Sequence, residues 1–565
     1  MMTIPEKNTW WTYHGQGLDS FGVNGLPVEV DMPQPGPHEV LARVDAFTLC
    51  ASDVKMIVMG NDYPLFKGRD FNQFPAVTGH ELSLTVVKPG SEMKQDWPPG
   101  KRFGVQPDVY LNGERFCIGV NVNGGMAEYI LLGKEVFFSD QGSCAFPVAD
   151  DISYAAVAQT EPLACVEAAF VQHSRTQMKP DGQTLIYVSP EIKQRFVLDM
   201  EMRTPHITVV DPGRRFADSI SGLLLEQAEK ILRDIPDTLF DDIIVLGNPV
   251  SEIMTQLSEK MAVNAVFCWL TSGDPQRDID MDVAKVHYNK VNLIGSSSGR
   301  LSTAFNKDKY RYDYKPGGTL IISGGGGTMG RIHLLRALKS KQSPQKIIIT
   351  NNSRGRLDAM EADFREIVAA AKKDVFYISL IETPDHNAKI HALIGDVGAS
   401  DIIICAPGVE PLNAVVDFLC DDGTIVLFSG TRYGQFGKVP FGLVAGAQAS
   451  ITASSGSSVA DQLRVLEKIE SGEIDPDFNV AAIGGLMSTK AGLEGVKAGT
   501  YTGKVVIYPQ LKHLPLMPLH ELKKWDAELG EFIERSAWSL QAEQLLSDKY
   551  HEKYSDKNSE LGLTP

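Results

Sequence analysis

The sequence predicts an α/β protein of several domains: a small barrel-like β domain, two tandem doubly wound parallel-sheet domains, and a short helical tail. Three observations lead there. To about residue 160 the chain reads as short β-runs broken by Gly, Pro and Asp, such as EVLARV at 39–44, the texture of a small barrel. Beyond it, apolar strands alternate with amphipathic helical stretches, as a parallel sheet covered on both faces requires. That pattern then occurs twice.

The first copy begins at TLIYV (184–188) and runs through ITVVD (207–211) and DIIVL (242–246) to NLIGS (292–296). The second begins at TLIIS (319–323) and runs through KIIIT (346–350) and IIIC (402–405) to IVLF (425–428). This is an internal repeat on the scale of a domain. The expected division is 1–175, completed by about 475–510; 180–310; 316–474; and 511–565. In the last segment the apolar positions Leu522, Trp525, Leu529 and Phe532 predict a helical face. A second short helix is expected over 538–546, with residues 548–565 frayed.

Size and composition narrow the function classes. At 565 residues the chain is too long for one core. A net charge of −17 argues against nucleic acid, whose phosphates are met by clustered Lys and Arg. No apolar run approaches the roughly 20 residues that a membrane span needs. The start, MMTIPE, has neither the basic end nor the apolar core of a signal peptide, and seven irregularly spaced cysteines suit a reducing compartment. A cytoplasmic protein is expected.

Only the second copy keeps a phosphate cradle. Gly325-Gly326-Gly327-Thr328-Met329-Gly330 fits G-x-G-x-x-G directly after a strand and before a helix expected over 331–338. Gly325 is assigned the tight turn, Gly327 the close approach of a pyrophosphate and Gly330 the packing of helix on strand, with the helix N-terminus drawing negative charge. In the first copy the same turn reads SPEIKQR (189–195), without glycine. Asp211 survives there at the ribose position, but one acid does not restore a phosphate site, so this copy reads as a degenerate Rossmann-like domain kept for packing or oligomer contacts. In the second copy the ribose position is Asn351, followed by Arg354 and Arg356. With no carboxylate to repel a 2′-phosphate and two arginines nearby, NADP(H) is favoured over NAD(H).

Four side chains supply a zinc ligand set. Zn²⁺ takes about four ligands drawn from thiolate, imidazole and carboxylate, and a catalytic site leaves one position open. Cys50, His80, Glu81 and Glu161 offer those donors from positions far apart in sequence, as a site gathered by the fold requires. Each alone has a duller reading, since a lone cysteine is more often a small buried hydrophobe. Their order and context decide otherwise.

The stretches Cys50-Ala51-Ser52-Asp53, Gly79-His80-Glu81 and Glu161-Pro162-Leu163, taken in order, resemble the zinc-dependent medium-chain dehydrogenase/reductase family, which includes sorbitol and threonine dehydrogenases. GGMAEY (124–129) and GKVVIYP (503–509) resemble two further family strands, so the similarity spans about 1–510. The region between Cys50 and His80 is similar to sorbose-1-phosphate reductases.

The resemblance implies a GroES-like β-barrel catalytic domain with one zinc on Cys50, His80, Glu161 and Glu81, the last either a ligand or a close neighbour of the metal. It implies that Ser52 passes the substrate proton towards solvent and that Asp53 orients the zinc loop. The activity implied is hydride transfer between NAD(P)(H) and a polyol, a sugar or its phosphate, in a homo-oligomer. Lys67, Arg69, Arg102 and Arg115 are candidate phosphate partners, and Cys165, one helical turn from Glu161, reads as core. Many members carry four close cysteines around a structural zinc. Here only Cys117 lies between Lys101 and Asn123, so no second zinc is expected. The competing reading is a non-catalytic dinucleotide-binding or scaffolding protein derived from such an enzyme.

Overall fold

The computed structural model describes residues 4–171, 175–192, 194–216, 220–221, 228–533 and 537–554. The chain forms two compact units, 1–167 with 456–565, and 168–455. Among the described residues no helix is long and apolar enough to cross a membrane.

The first unit is built on an eight-stranded sheet whose inner strand, Val40–Thr48, is buried along almost its whole length. Two charged residues, Arg43 and Asp45, interrupt its apolar run, and they are met within the sheet: Arg43 Nε donates to Asp45 Oδ1 at 2.7 Å and the Thr85 hydroxyl to Oδ2 at 2.6 Å. Glu81–Pro89 pairs antiparallel along one edge and Lys504–Tyr508 along the other, with Val506 opposite Thr48. A strand from the far end of the chain therefore lies beside the first third. That register brings Lys504 to the strand end where Thr48 faces Glu81. The chain leaves Val40–Thr48 through Leu49 and enters the helix Ala51–Met59, with Cys50 as its N-cap.

The tail packs on the same sheet. Met517–Pro518 adds a short antiparallel strand beside Val480–Gly485, and the helices Leu519–Trp525, Ala527–Phe532 and Leu540–Tyr554 follow. The single helical face expected over 522–532 is broken at Asp526, which leaves helical backbone and caps the second helix by accepting from the amides of Glu528 and Leu529. Leu522 and Leu529 are buried, but Phe532 is 45% exposed because the break turns it outward. The last helix runs to Tyr554, past the point where fraying was expected; residues 555–565 lie outside the described chain.

This tail delivers a carboxylate into the core. Glu543 accepts from the amides of Tyr154 (2.6 Å) and Ala155 (3.0 Å) and from the Tyr508 hydroxyl (2.9 Å), closing the N-terminus of the helix Tyr154–Ala158. Asp477 is also buried, and its one side-chain donor is the Ser153 hydroxyl at 2.7 Å. Burial, and then repulsion by Glu543 and Asp475, push the Asp477 carboxyl well above its usual range. The folded state thus favours protonated Asp477 more than the unfolded chain does, and stability falls as pH rises from the unfolded value of about 3.9 through the folded one. Asp477→Asn should raise stability at pH 8 by on the order of 1 kcal/mol, a gain that shrinks towards pH 5. Denaturant melts of both proteins at the two pH values measure this, and a variant less stable at pH 8 would contradict it.

The second unit holds two parallel six-stranded sheets of identical topology. The first runs Ala228–Leu232, Ile207–Val210, Thr184–Val188, Phe240–Leu246, Met261–Leu270, Asn292–Ser296. The second runs Asp374–Ser379, Lys346–Asn351, Thr319–Ser323, Ala399–Ile404, Leu419–Leu427, Ser450–Ala453. Numbered by position within each copy, both follow the order 3-2-1-4-5-6, which defines the Rossmann-type doubly wound fold. The fold class read from the sequence, with its two tandem parallel-sheet domains and helical tail, matches what is seen.

Candidate functional site

Cys50, His80 and Glu81 each point one ligand atom to a common place, all within 4.8 Å of one another. The local structure arranges this. As N-cap, Cys50 turns its sulfur back over the first turn of the helix Ala51–Met59, where it accepts from the Ser52 amide (3.4 Å) and hydroxyl (3.0 Å). Asp53, fully buried, takes the Cys50 amide at 3.1 Å and His80 Nδ1 at 3.0 Å. That leaves His80 Nε2 facing Ser52 Oγ, 3.1 Å away, so one exposed hydroxyl joins the sulfur and the imidazole. Burial pulls the His80 imidazole down, but the Asp53 carboxylate and the Cys50 sulfur outweigh it and hold His80 well above its ordinary value.

Of the other two carboxylates, Glu81 converges as expected, and Glu161 is placed differently from the expectation. Glu81 belongs to the three-residue group, yet it is fully buried and already ion-paired, with Lys504 Nζ 2.5 and 2.7 Å from its two oxygens and the Thr48 hydroxyl donating to Oε2. Glu161 is not one of the converging donors. It accepts from the Cys165 thiol at 3.3 Å, and burial is the chief cause that raises its carboxyl, while the charge of His80 lowers it. Cys165, expected in the core, is only partly buried and faces Glu161. Among the described residues, no other group of three or more His, Cys, Asp or Glu side chains converges as a metal site would.

Lys504 escaped the sequence reading, although its signal was present: a lysine inside a strand, KVVIY, that is buried throughout. Three candidate phosphate partners are committed elsewhere. Arg69 donates to the carbonyls of Phe74, Pro75 and Val120, Arg102 to those of Ala149, Asp150 and Ile152, and Arg115 forms a bidentate pair with Asp108. Lys67 is exposed.

In the second unit the glycine turn lies between the strand Thr319–Ser323 and the helix Thr328–Lys339. The left-handed residue of the turn is Gly324 (φ +70°), not Gly325, whose position is confined by Ile322 and Ile349. A Cβ on Gly330 would stand 1.9 Å from the Gly325 carbonyl oxygen, so this glycine permits the helix to close on the turn. A Cβ on Gly327 would meet nothing within 4 Å. The turn thus presents open space beside Gly327, with Thr328 and Met329 half-exposed next to it.

Asn351 ends the adjoining strand and stands against Gly326. Arg354 and Arg356 occupy the first turn of the helix Arg354–Ala371, which Ser353 caps. Arg354 is already paired with Asp358 (2.6 Å) and lies 3.6 Å from Glu361, so much of its charge is met within its own helix. In the first copy, Asp211 accepts from the amides of Arg215 and Phe216, both at 2.9 Å, and so serves its own turn. The segment after Thr184–Val188 passes into a short strand, Phe196–Val197, where the second copy has its helix. Lys193 of that segment lies outside the described residues.

Residues 36–139 match the family described as the alcohol dehydrogenase GroES-like domain. Mannitol-1-phosphate 5-dehydrogenase of Aliivibrio fischeri is 27% identical over 267 residues, 45% of this chain and 62% of that protein. L-sorbose 1-phosphate reductase of Klebsiella pneumoniae is 24% identical over 317 residues, 50% of this chain and 75% of that one. The chain therefore spans under two thirds of the first of these relatives. The fold is also that of 2R,3R-butanediol dehydrogenase from Bacillus subtilis, with a TM-score of 0.52 at 14% identity over 89% of this chain and 99% of that one.

Proposed function

Because the chain belongs to the medium-chain dehydrogenase/reductase family, we propose that it is a zinc-dependent oxidoreductase, moving a hydride between a nicotinamide dinucleotide and a secondary alcohol or ketone of a polyol, a sugar or its phosphate. The observation that carries this reading is the convergence of Cys50, His80 and Glu81 beside the Ser52 hydroxyl. Thiolate, imidazole and carboxylate form the donor set that suits zinc, and with Nδ1 of His80 held by Asp53 it is Nε2, now in contact with Ser52, that would serve as the ligand.

Cys50 and His80 would hold the ion, with Glu81 or Glu161 completing the set after a shift of its present partner. A bound zinc supplies Lewis acidity towards the alcohol or carbonyl oxygen, and the nicotinamide supplies or takes the hydride. The residues do the rest. Asp53 fixes the imidazole by holding Nδ1 and fixes the cysteine loop through the Cys50 amide. Ser52 is both exposed and hydrogen-bonded in the site, which suits it to carry the substrate hydroxyl proton to solvent. Lys504 balances the Glu81 charge in a place water does not reach. For the dinucleotide, Gly327 leaves room for the pyrophosphate at the N-terminus of the helix Thr328–Lys339.

The reading is tested by oxidation of NADPH and NADH against a panel of ketoses and ketose phosphates, with zinc measured in the same preparation. Turnover with none of them, in protein carrying zinc, would contradict it. Within this reading NADP(H) is the favoured cofactor, chiefly because Asn351 puts no carboxylate at the ribose position, while Arg354 is engaged with Asp358. Asn351→Asp should weaken NADPH binding by roughly tenfold to a hundredfold, through charge repulsion at the 2′-phosphate, while NADH binding holds or tightens. Fluorescence titration of both reduced cofactors measures the difference, and equal changes for the two would contradict the preference.

A further inference from the structure

The two sheet domains of the second unit meet as the two halves of a symmetric dimer would. In each copy the fifth strand is followed by a short strand, a short helix and the sixth strand: Ile279–Asp282, Val283–Tyr288 and Asn292–Ser296 in the first, Phe436–Val439, Phe441–Gly446 and Ser450–Ala453 in the second. The two short strands pair with each other, antiparallel, as a separate two-stranded sheet. Ile279 faces Val439 and Asp282 faces Phe436. Since Ile279 corresponds to Phe436 and Asp282 to Val439, exchanging the copies reproduces the same contacts. That reciprocity is the mark of a two-fold, isologous interface.

The surrounding contacts also run both ways. Phe441 of the second copy packs its ring, tilted, 5.1 Å from that of Phe267 and 5.5 Å from that of Trp269 of the first. His287 of the first donates from Nδ1 to the Leu427 carbonyl of the second at 2.9 Å. A Cβ on Gly295, in the sixth strand of the first copy, would lie 2.8 Å from Ala445 Cα, so helix and strand are in close contact there. Ile279, Met281, Val439, Phe441, Val444 and Ala445 are fully buried. Among the described residues, this face of the second copy is covered by the first.

We infer that the degenerate first copy is an in-chain replacement for a second subunit: it closes, from within one polypeptide, the face through which two identical nucleotide-binding domains would otherwise pair. The protein is then a monomer with one nucleotide site, in place of the homo-oligomer suggested by the sequence. This accounts for both features of the first copy. Its interface elements are intact and well buried, while its phosphate turn, which an interface does not need, has lost its glycines.

The experiment uses the full chain. Sedimentation equilibrium over a hundredfold range of concentration should return one mass, that of the 61.8 kDa chain. The pair Asp280 and Lys438, opposite each other on the two short strands and both exposed, then reports which chain supplies each strand. Directly opposed residues of an antiparallel pair have Cα atoms about 4.5–5.5 Å apart, within disulfide range. Under mild oxidation D280C/K438C should form a link inside one chain, seen as a faster band at single-chain mass on a non-reducing gel, absent from D280C alone. A native mass of two chains or more, a disulfide joining two chains, or no disulfide would each overturn the inference.

Discussion

Serine in place of Cys50 should leave the purified protein with almost no zinc, where the wild type should carry about one ion per chain. The change removes the thiolate and little else. Serine is a preferred N-cap, so the helix Ala51–Met59 should still start at the same residue and the fold should survive. The remaining donors are then His80 and two carboxylates engaged elsewhere, Glu81 with Lys504 and Glu161 with Cys165. Activity should fall by about a thousandfold or more, because Lewis acidity contributes several kcal/mol to such a transition state. Asp53→Asn, which keeps the shape but weakens the grip on His80 Nδ1, should give an intermediate loss of zinc affinity, about tenfold to a hundredfold. Elemental analysis after metal-replete expression measures the stoichiometry, and an unchanged value in Cys50→Ser would refute the assignment.

Two glycines of the turn after Thr319–Ser323 should both be needed for nucleotide binding but differ in what they do for stability, and the contrast identifies the site. Gly327 has extended backbone (φ −111°, ψ −177°) and no atom within 4 Å of where a Cβ would stand, so valine fits there without strain. Gly327→Val should therefore keep its melting temperature, to within about 1 kcal/mol of stability. Nucleotide binding should weaken by at least about a hundredfold, the equivalent of one or two charge-assisted hydrogen bonds. Gly330→Ala meets the Gly325 backbone instead and should cost roughly 1–3 kcal/mol of stability along with binding. Fluorescence titration of NADPH and thermal melts of both variants check this. Unchanged binding in Gly327→Val would move the nucleotide site away from this turn.

The repeated strand pattern was legible because buried parallel strands read as short, nearly pure runs of Ile, Val and Leu, and TLIYV and TLIIS are plain cases. The glycine turn was legible for a related reason: the requirement is local, set by backbone within a few residues. Even so, the left-handed residue fell one position earlier than the motif suggests, at Gly324. Arg354 shows where this kind of reading ends. Its place near Asn351 in sequence suggested a phosphate partner, but helix geometry set Asp358 one turn away, and the nearer acid took the charge.

What the sequence by itself determined is what depends on neighbours along the chain: the strand runs, the two-fold repeat, the glycine turn, and Cys50-Ala51-Ser52-Asp53 as a helix start whose side chains fold back on one another. Tertiary structure alone decided the pairings between distant segments. It placed Lys504 against Glu81 by laying the strand Lys504–Tyr508 beside Val40–Thr48, and it kept Glu161 out of the group formed by Cys50, His80 and Glu81. It also set Glu543 on the helix Tyr154–Ala158, and Ile279–Asp282 against Phe436–Val439. The physical reason is the same in each case. A buried charge or an unpaired strand edge must find a partner, and the partner is whichever group the packed core brings within reach, however far away it lies in sequence.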